Sequence, residues 1–217
     1  IVVEKIEYEI DPAKPVIALT FDDGPNTTTT VAMLDMLQKH NVVGSFFVIG
    51  NNINEQSAEV MKRTVEMGCD IQNHSFSHSD MTKLSEEELK EEIQKTTDLI
   101  VKYIGVEPNY FRPPYISHNQ TMHETIDLTF ISGAGIEDWV PSIDAQERAK
   151  RILDLAKDGL IYLLHDMPGN EATVEALDIA IPQLKEQGYQ FVTVPELFKA
   201  KNITPEKGTI YTYLLKE

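Results

Sequence analysis

Five short clusters in this 217-residue chain carry side chains of the kinds that do chemistry. Thr20-Phe-Asp-Asp-Gly-Pro25 sets two adjacent carboxylates on a Gly-Pro turn. Consecutive residues leaving a strand point in different directions, so one carboxylate can hold a cation while its neighbour meets a substrate. Taken alone, the segment also reads as an ordinary Asx turn. His74-Ser-Phe-Ser-His78 places two imidazoles at i and i+4, which share a face if the segment is a helical turn and can then hold one ion. With Asp23 as a third ligand the set becomes Asp-His-His. It leaves positions open for water and substrate, and it suits Zn²⁺, Co²⁺, Ni²⁺ or Fe²⁺ better than Ca²⁺. In Phe111-Arg-Pro-Pro-Tyr115 two prolines fix φ beside Arg112 and can force backbone groups toward a cleft. Asp138-Trp139 pairs an acid with an aromatic. His165-Asp166 follows the apolar run Leu160–Leu164, where an imidazole can act as a general acid or can simply be held by its neighbours.

Other polar residues carry less. The acidic run Glu86–Glu92 reads as the solvated face of a helix, His40 and His123 are isolated, and Cys69 belongs to a buried strand. His118 sits in a polar loop near the expected cleft and is a candidate for substrate contact. Neither a G-x-S-x-G elbow nor a P-loop is present.

These clusters need elements to position them, and the chain supplies short β-rich runs alternating with amphipathic helical stretches. Strands are expected at Val16–Thr20, Gly44–Ile49, Asp70–Gln72, Tyr110–Phe111, Leu128–Ser132, Leu160–Leu164 and Gln190–Val194. Helices are expected at Thr28–His40, Glu55–Met67, Ser85–Tyr103 (opened by a Ser85/Glu88 capping box), Ala145–Lys157 and Thr173–Gln187, the last kinked at Pro182. Such alternation predicts a parallel α/β sheet, barrel or open. All five clusters fall just after a strand, the edge that opens into the active-site face of such sheets. The extensions Ile1–Pro12 and Ile203–Glu217 are strand-like and have no assigned place.

Composition sets outer bounds. Lys and Arg number 19 against 35 Asp and Glu, a net charge of −16, so phosphate backbones and anionic lipid are repelled and an uncharged substrate is not. Nucleic acid and membrane are therefore poor partners, and no apolar run approaches the ~20 residues of a membrane span. One cysteine excludes an intramolecular disulfide. The length suits one domain of residues 1–217, with a core at 15–198. A start at Ile1 reads as an excised or processed chain.

The ordered set TFDDGP at 20–25, NHSFSH at 73–78, RPPY at 112–115, EDW at 137–139 and LLHD at 163–166 resembles the polysaccharide deacetylase domain of carbohydrate esterase family 4. The resemblance implies a distorted (β/α) barrel, often of seven strands, and metal-dependent hydrolysis of acetyl groups on sugars with one divalent ion, Zn²⁺ or Co²⁺ before Ni²⁺ or Fe²⁺. It casts Asp22 as catalytic base, Asp23, His74 and His78 as metal ligands, Arg112 as the residue orienting the base, and His165 as general acid. It also casts the Tyr115 N–H as an oxyanion donor, and Leu163 and Trp139 as walls of the acetyl-methyl pocket.

Two positions depart from the family pattern. Gly135 stands where an aspartate commonly tunes the catalytic histidine, and Ile116 stands where glycine usually follows the tyrosine. A histidine without its carboxylate should hurt amide cleavage more than ester cleavage, unless Asp138, Glu137 or Asp166 replaces it. The expectation is therefore an acetylxylan esterase. An N-deacetylase of chitin oligomers or peptidoglycan, and a non-catalytic carbohydrate-binding relative, are the alternatives. A cell-wall polysaccharide as substrate implies an extracellular protein, with one module of a larger multidomain enzyme that degrades plant cell wall as the expected setting.

Overall fold

The chain is organised around β1 (Val16–Asp22), a strand buried along its whole length, in a computed structural model that describes residues 3–215. Alternate residues of β1 serve two layers, as the strand period of two requires. Ile17, Leu19 and Phe21 join the main core beneath the helices. Val16 and Ala18 join a second cluster with Phe47, Tyr110, Ile131 and Ile161, contributed by neighbouring strands. Thr20 and Asp22 continue this second row and are also buried, so the same alternation carries a carboxylate to the strand's C-terminal end.

After β1 come α1 (Thr29–His40), β2 (Ser45–Val48), α2 (Glu55–Glu66), β3 (Asp70–Asn73), α3 (Glu86–Ile104), β4 (Tyr110–Phe111), α4 (Gln120–Thr125) and β5 (Thr129–Ile131). Then follow β6 (Ala134–Gly135), α5 (Ala145–Leu155), β7 (Ile161–His165), α6 (Glu171–Glu186), β8 (Gln190–Phe191), α7 (Val194–Lys201) and β9 (Ile210–Tyr211). The sheet order is β6-β7-β1-β2-β3-β4-β5-β9, with β8 on β1, and every strand pair is parallel. β8 pairs with Val16 and Ile17, below the Thr20–Asp22 stretch that pairs with β2. This is the expected distorted (β/α) barrel.

The barrel closes through the C-terminal extension, which had no assigned place. Of the extension at Ile203–Glu217, residues 216–217 lie outside the described residues. Within it, β9 pairs with Phe130 and Ile131, Tyr213 forms an antiparallel bridge to Leu160, and the Leu214 N–H donates to Gly159 O at 2.8 Å. This arm spans the gap between β5 and β7. Gly159 permits it: φ is +79°, and a Cβ there would lie 1.8 Å from Leu214 O. At the other end, Ile6 N–H donates to Met67 O at 2.9 Å, and residues 3–12 form no strand.

Three further expectations are corrected. The run expected as one strand at Gln190–Val194 stops at Phe191, because Thr193 and Glu196 form a capping box that opens α7. α6 runs unbroken through Pro182, which is exposed. α4 and β6 were not anticipated. Cys69 is buried as expected, and burial pushes its thiol up to about 12. No helix among the described residues is long and apolar enough to cross a membrane.

Candidate active site

The loops that follow β1, β3, β4, β6 and β7 converge on a cavity of about 530 Å³ lined by Asp22, Asp23, His74, His78, Tyr115, Ile116, Gly133, Gly135, Trp139, Leu163 and His165. Eight of the nine side chains anticipated from sequence line it directly, among them both carboxylates and all three histidines; the ninth, Arg112, lies buried behind them. Its chemistry is best built from the deepest residues outward.

Asp23, His74 and His78 bring one ligand atom each within 4.8 Å of one another. Asp23 Oδ1 lies 3.4 Å from His74 Nε2 and 3.3 Å from His78 Nε2. That oxygen is buried and accepts no hydrogen bond among the described residues, a state that costs free energy unless a cation completes it. The His74 ring lies with Nδ1 2.7 Å from Arg112 O. A carbonyl can only accept, so Nδ1 donates a proton to it and Nε2 is the nitrogen turned toward Asp23. Burial, then the neighbouring His74, pushes the His78 imidazole down, toward its neutral ligand form. Burial opposes ionisation of Asp23, but His74, with His165 and His78, holds its carboxyl below the usual value. A carboxylate and two imidazoles around one orphaned oxygen fit a divalent transition metal.

The two histidines do not meet on a helical turn, as their spacing suggested. Residues 74–80 form a loop, turned by Ser75 at φ +66° and His78 at φ +57°. Its turn is fixed by Glu92 of α3, whose Oε2 accepts the N–H groups of Phe76 at 3.0 Å and Ser77 at 2.8 Å. Glu92 therefore does not belong to the solvated face read across Glu86–Glu92, although Glu86, Glu87, Glu88 and Glu91 do. The Asn52 amide donates to Asp23 O at 2.8 Å, and Gly50 and Asn51 N–H donate to Ser75 O and Phe76 O at 2.9 Å. The loop after β2 thus ties the aspartate and histidine loops together, a role that no sequence signal marked.

Asp22 faces the same centre, with Oδ2 3.6 Å from His74 Nε2. Its other oxygen accepts from Arg112 Nη1 at 2.7 Å. Arg112 is fully buried. It also donates to Thr20 Oγ1 at 2.7 Å and to Ile131 O at 3.2 Å, and its guanidinium lies over the Phe47 ring at 4.4 Å. A Cβ on Gly133 would sit 2.9 Å from Arg112 Nη2, at φ +71°, so the turn past Gly133 can pass this close only as glycine.

His165 lies beside Asp22, as its register partner on the adjacent strand β7. Its Nδ1 is 2.8 Å from Asp138 Oδ1, and its backbone N–H donates to Asp138 Oδ2 at 2.8 Å. Gly135 therefore does not leave this histidine without a carboxylate, and of the three replacements considered Asp138 is the one present. Asp138 takes the place, because Glu137 at φ +61° turns the loop and aims Asp138 inward. Glu137 itself pairs with Arg151 at 2.7 Å, and Asp166 is bonded to Thr30. Burial lowers His165, but the Asp138 hydrogen bond and charge, with Asp22 and Asp23 behind them, raise it to about 9. Burial likewise pushes the neighbouring Asp166 up to about 7.

Around these groups, the Tyr115 N–H donates to no acceptor among the described residues, and the Tyr115 ring packs edge-on to His78 at 4.8 Å. Trp139 stands edge-on to His165 at 5.3 Å, with Leu163 beside it on the cavity wall. Ile116 reaches the cavity with φ +54°, a conformation in which a β-branched residue is an outlier. His118 does not line the cavity. It is bonded to His123 at 2.8 Å, so His123 is not isolated either, nor is His40, which contacts Asp178 at 2.6 Å.

Comparison with known proteins gives one consistent result. The polysaccharide deacetylase family profile matches residues 9–130. A bifunctional xylanase/deacetylase of Pseudobutyrivibrio xylanivorans is 50% identical over 189 residues, covering 87% of this chain and 31% of that protein. A peptidoglycan-N-acetylglucosamine deacetylase of Listeria monocytogenes is 39% identical over 186 residues, covering 85% of this chain and 39% of that protein. The chain thus spans well under half the length of these relatives. Among solved structures, the Xyl-CE4 domain of a multidomain xylanase from the hindgut metagenome of Trinervitermes trinervoides matches with TM-score 0.91 and 44% identity, covering 94% of this chain and 100% of that one. A family 4 acetyl xylan esterase from Clostridium thermocellum in complex with a cobalt ion matches with TM-score 0.90 and 40% identity, covering 92% and 98%.

Proposed function

The chain belongs to the polysaccharide deacetylase family (carbohydrate esterase family 4), and on that premise we propose that it hydrolyses acetyl groups of a polysaccharide, namely the O-acetyl groups of acetylated xylan. The observation that carries the reaction is the pair of couples Arg112–Asp22 and Asp138–His165, side by side on adjacent strands and sharing one cavity with the Asp23-His74-His78 set.

Asp23, His74 and His78 would hold a divalent ion, with Zn²⁺ or Co²⁺ favoured and Ni²⁺ or Fe²⁺ accommodated, which would supply Lewis acidity to water and to the acetyl carbonyl. Asp22, turned by Arg112, accepts the proton of the attacking water. The free Tyr115 N–H donates to the oxyanion that develops on the carbonyl oxygen. His165 keeps Nδ1–H on Asp138 and gives the Nε2 proton to the leaving oxygen as acetate separates. Trp139 and Leu163 form the apolar wall against the methyl group.

Support for xylan comes from the xylan-linked names of the relatives and structures. The second reading, N-deacetylation of N-acetylglucosamine units in chitin oligomers or peptidoglycan, is favoured by the Asp138–His165 pair, which keeps the acid needed to protonate a poor nitrogen leaving group. Acetate release measured side by side on acetylxylan and N-acetylglucosamine oligomers tests the assignment. Faster release from xylan is expected, and faster release from the oligomers would transfer the chain to the second reading. A non-catalytic binding role conflicts with the complete set of acid, base and ligands. Activity abolished by chelation and restored by Co²⁺ or Zn²⁺ is expected, whereas an inactive protein at every metal loading would restore the binding role. We place the protein outside the cell, as one module of a larger enzyme that degrades plant cell wall; its recovery in culture supernatant, joined to further domains, is the corresponding check.

A further inference from the structure

We infer that Arg148 is a positioning residue of this reaction: from α5 it sets the direction of the hydrogen bonds that hold the Asp138 carboxylate against His165. Arg148 is buried and forms no ion pair among the described residues. Its Nη1 donates to Asn170 Oδ1 at 2.6 Å and to Thr173 Oγ1 at 2.9 Å. Both acceptors belong to the start of α6, Asn170 as its N-cap residue. On their other sides they meet the same carboxylate oxygen: Thr173 Oγ1 is 3.0 Å and Asn170 Nδ2 3.3 Å from Asp138 Oδ2.

The polarity of this network follows from one fact, that a guanidinium can only donate. Thr173 Oγ1, accepting from Arg148, must turn its own proton toward Asp138. The Asn170 amide must present oxygen to Arg148, which leaves its NH₂ for Asp138 and for His165 O at 2.8 Å. Every hydrogen bond at Asp138 is thereby an incoming one, and the carboxylate can only accept the Nδ1–H of His165. The remaining nitrogen, Nε2, is then the one able to give a proton to the leaving group. Arg148 also grips the loop that carries Asp138 and Trp139, through Val140 O at 3.1 Å and Ile143 O at 2.8 Å. The two buried charges, guanidinium and carboxylate, compensate each other through Asn170 and Thr173 rather than by contact.

The inference rests on the reading of His165 as proton donor, so its test carries two independent readouts. The first is the kcat and KM of acetate release. The second is the proton NMR resonance of His165 Nδ1–H in metal-free protein, which reports the Asp138 bond whether or not the enzyme turns over. In Arg148→Met, kcat should fall roughly tenfold or more with KM held within about twofold, and the resonance should move upfield or vanish. Thr173→Val should shift both in the same sense, and Thr173→Ser should restore them. A wild-type kcat and resonance in Arg148→Met and Thr173→Val would overturn the inference. Should Arg148→Met fail to fold, the Thr173 pair decides, and an unmoved resonance in Thr173→Val overturns it. A resonance that moves in Arg148→Met while His165→Ala retains full kcat supports the positioning and removes the proton-donor reading instead.

Discussion

Asp22 and His165 each draw their character from a buried neighbour on another element. Arg112 turns Asp22, and Asp138 raises His165 to about 9. The sign of the second effect can be worked through. A histidine raised above its unfolded value of about 6.5 is protonated at neutral pH, and its pairing stabilises the fold fully below about pH 6.5. That contribution is lost as pH rises through about 9, and the proton needed by the leaving group goes with it. The pH profile of kcat should accordingly hold on its alkaline side above the ordinary histidine value of about 6.5, and Asp138→Asn should pull that limb down; an unmoved limb would mean that another group titrates there. Asp22→Asn should lower acetate release by a factor of roughly 10² or more while bound metal, read by elemental analysis, stays stoichiometric. The clusters themselves were legible, because residue type and order are properties of the chain. The Asp138–His165 partnership was legible only as one of three options beside Glu137 and Asp166, because the choice depends on the left-handed turn at Glu137 and on the start of α6.

At the scale of elements, the long helices and β1 could be read from periodicity because each buries one face or alternates its layers locally. α3 shows where that stops. Its capping box at Ser85 and Glu88 was visible and is present, but the task of Glu92 is not encoded by helical pattern, since its partners lie 16 and 15 residues away. Glu92→Ala should loosen the loop holding His74 and His78 and weaken metal affinity about tenfold in a competition titration, while helix content by circular dichroism stays constant. Short elements escaped for a related reason. β4, β6, β8 and β9 are two residues each, and strands that short exist by pairing rather than by propensity. α7 had a legible signal in Thr193-Val-Pro-Glu196, which a continuous apolar reading of the preceding strand masked.

For the molecule as a whole, the closing arm decides whether the barrel is complete. Gly159→Ala would place a methyl where Leu214 O now lies and would adopt φ +79° with a side chain. A destabilisation of about 2 kcal/mol or more follows, which in a chain of this size lowers Tm by roughly 4–8 °C. A scan showing no change would mean the arm contributes little to global stability. The acidic surplus, by contrast, is mostly spread over helix exteriors, while Asp22, Asp23 and Asp138 serve the site directly and Glu92 holds its histidine loop.

The left-handed residues have a consequence for anyone who wishes to toughen this protein. Asp23, Ser75, His78, Tyr115, Ile116 and Glu137 all hold positive φ, each at a cost of order 1–3 kcal/mol, and all lie on the loops around the cavity. Directed evolution for heat tolerance alone would find its easiest gains here and would erode turnover in finding them, because most of these positions supply a ligand, a donor or an aim. Ile116 is the exception, a cavity-rim side chain with no hydrogen-bonding duty of its own. Ile116→Gly should raise Tm by a few degrees in differential scanning calorimetry, and a lowered Tm would show that packing of the isoleucine outweighs its backbone strain. Tolerance to heat and competence in catalysis thus draw on the same few peptide units, and only one of them is open to negotiation.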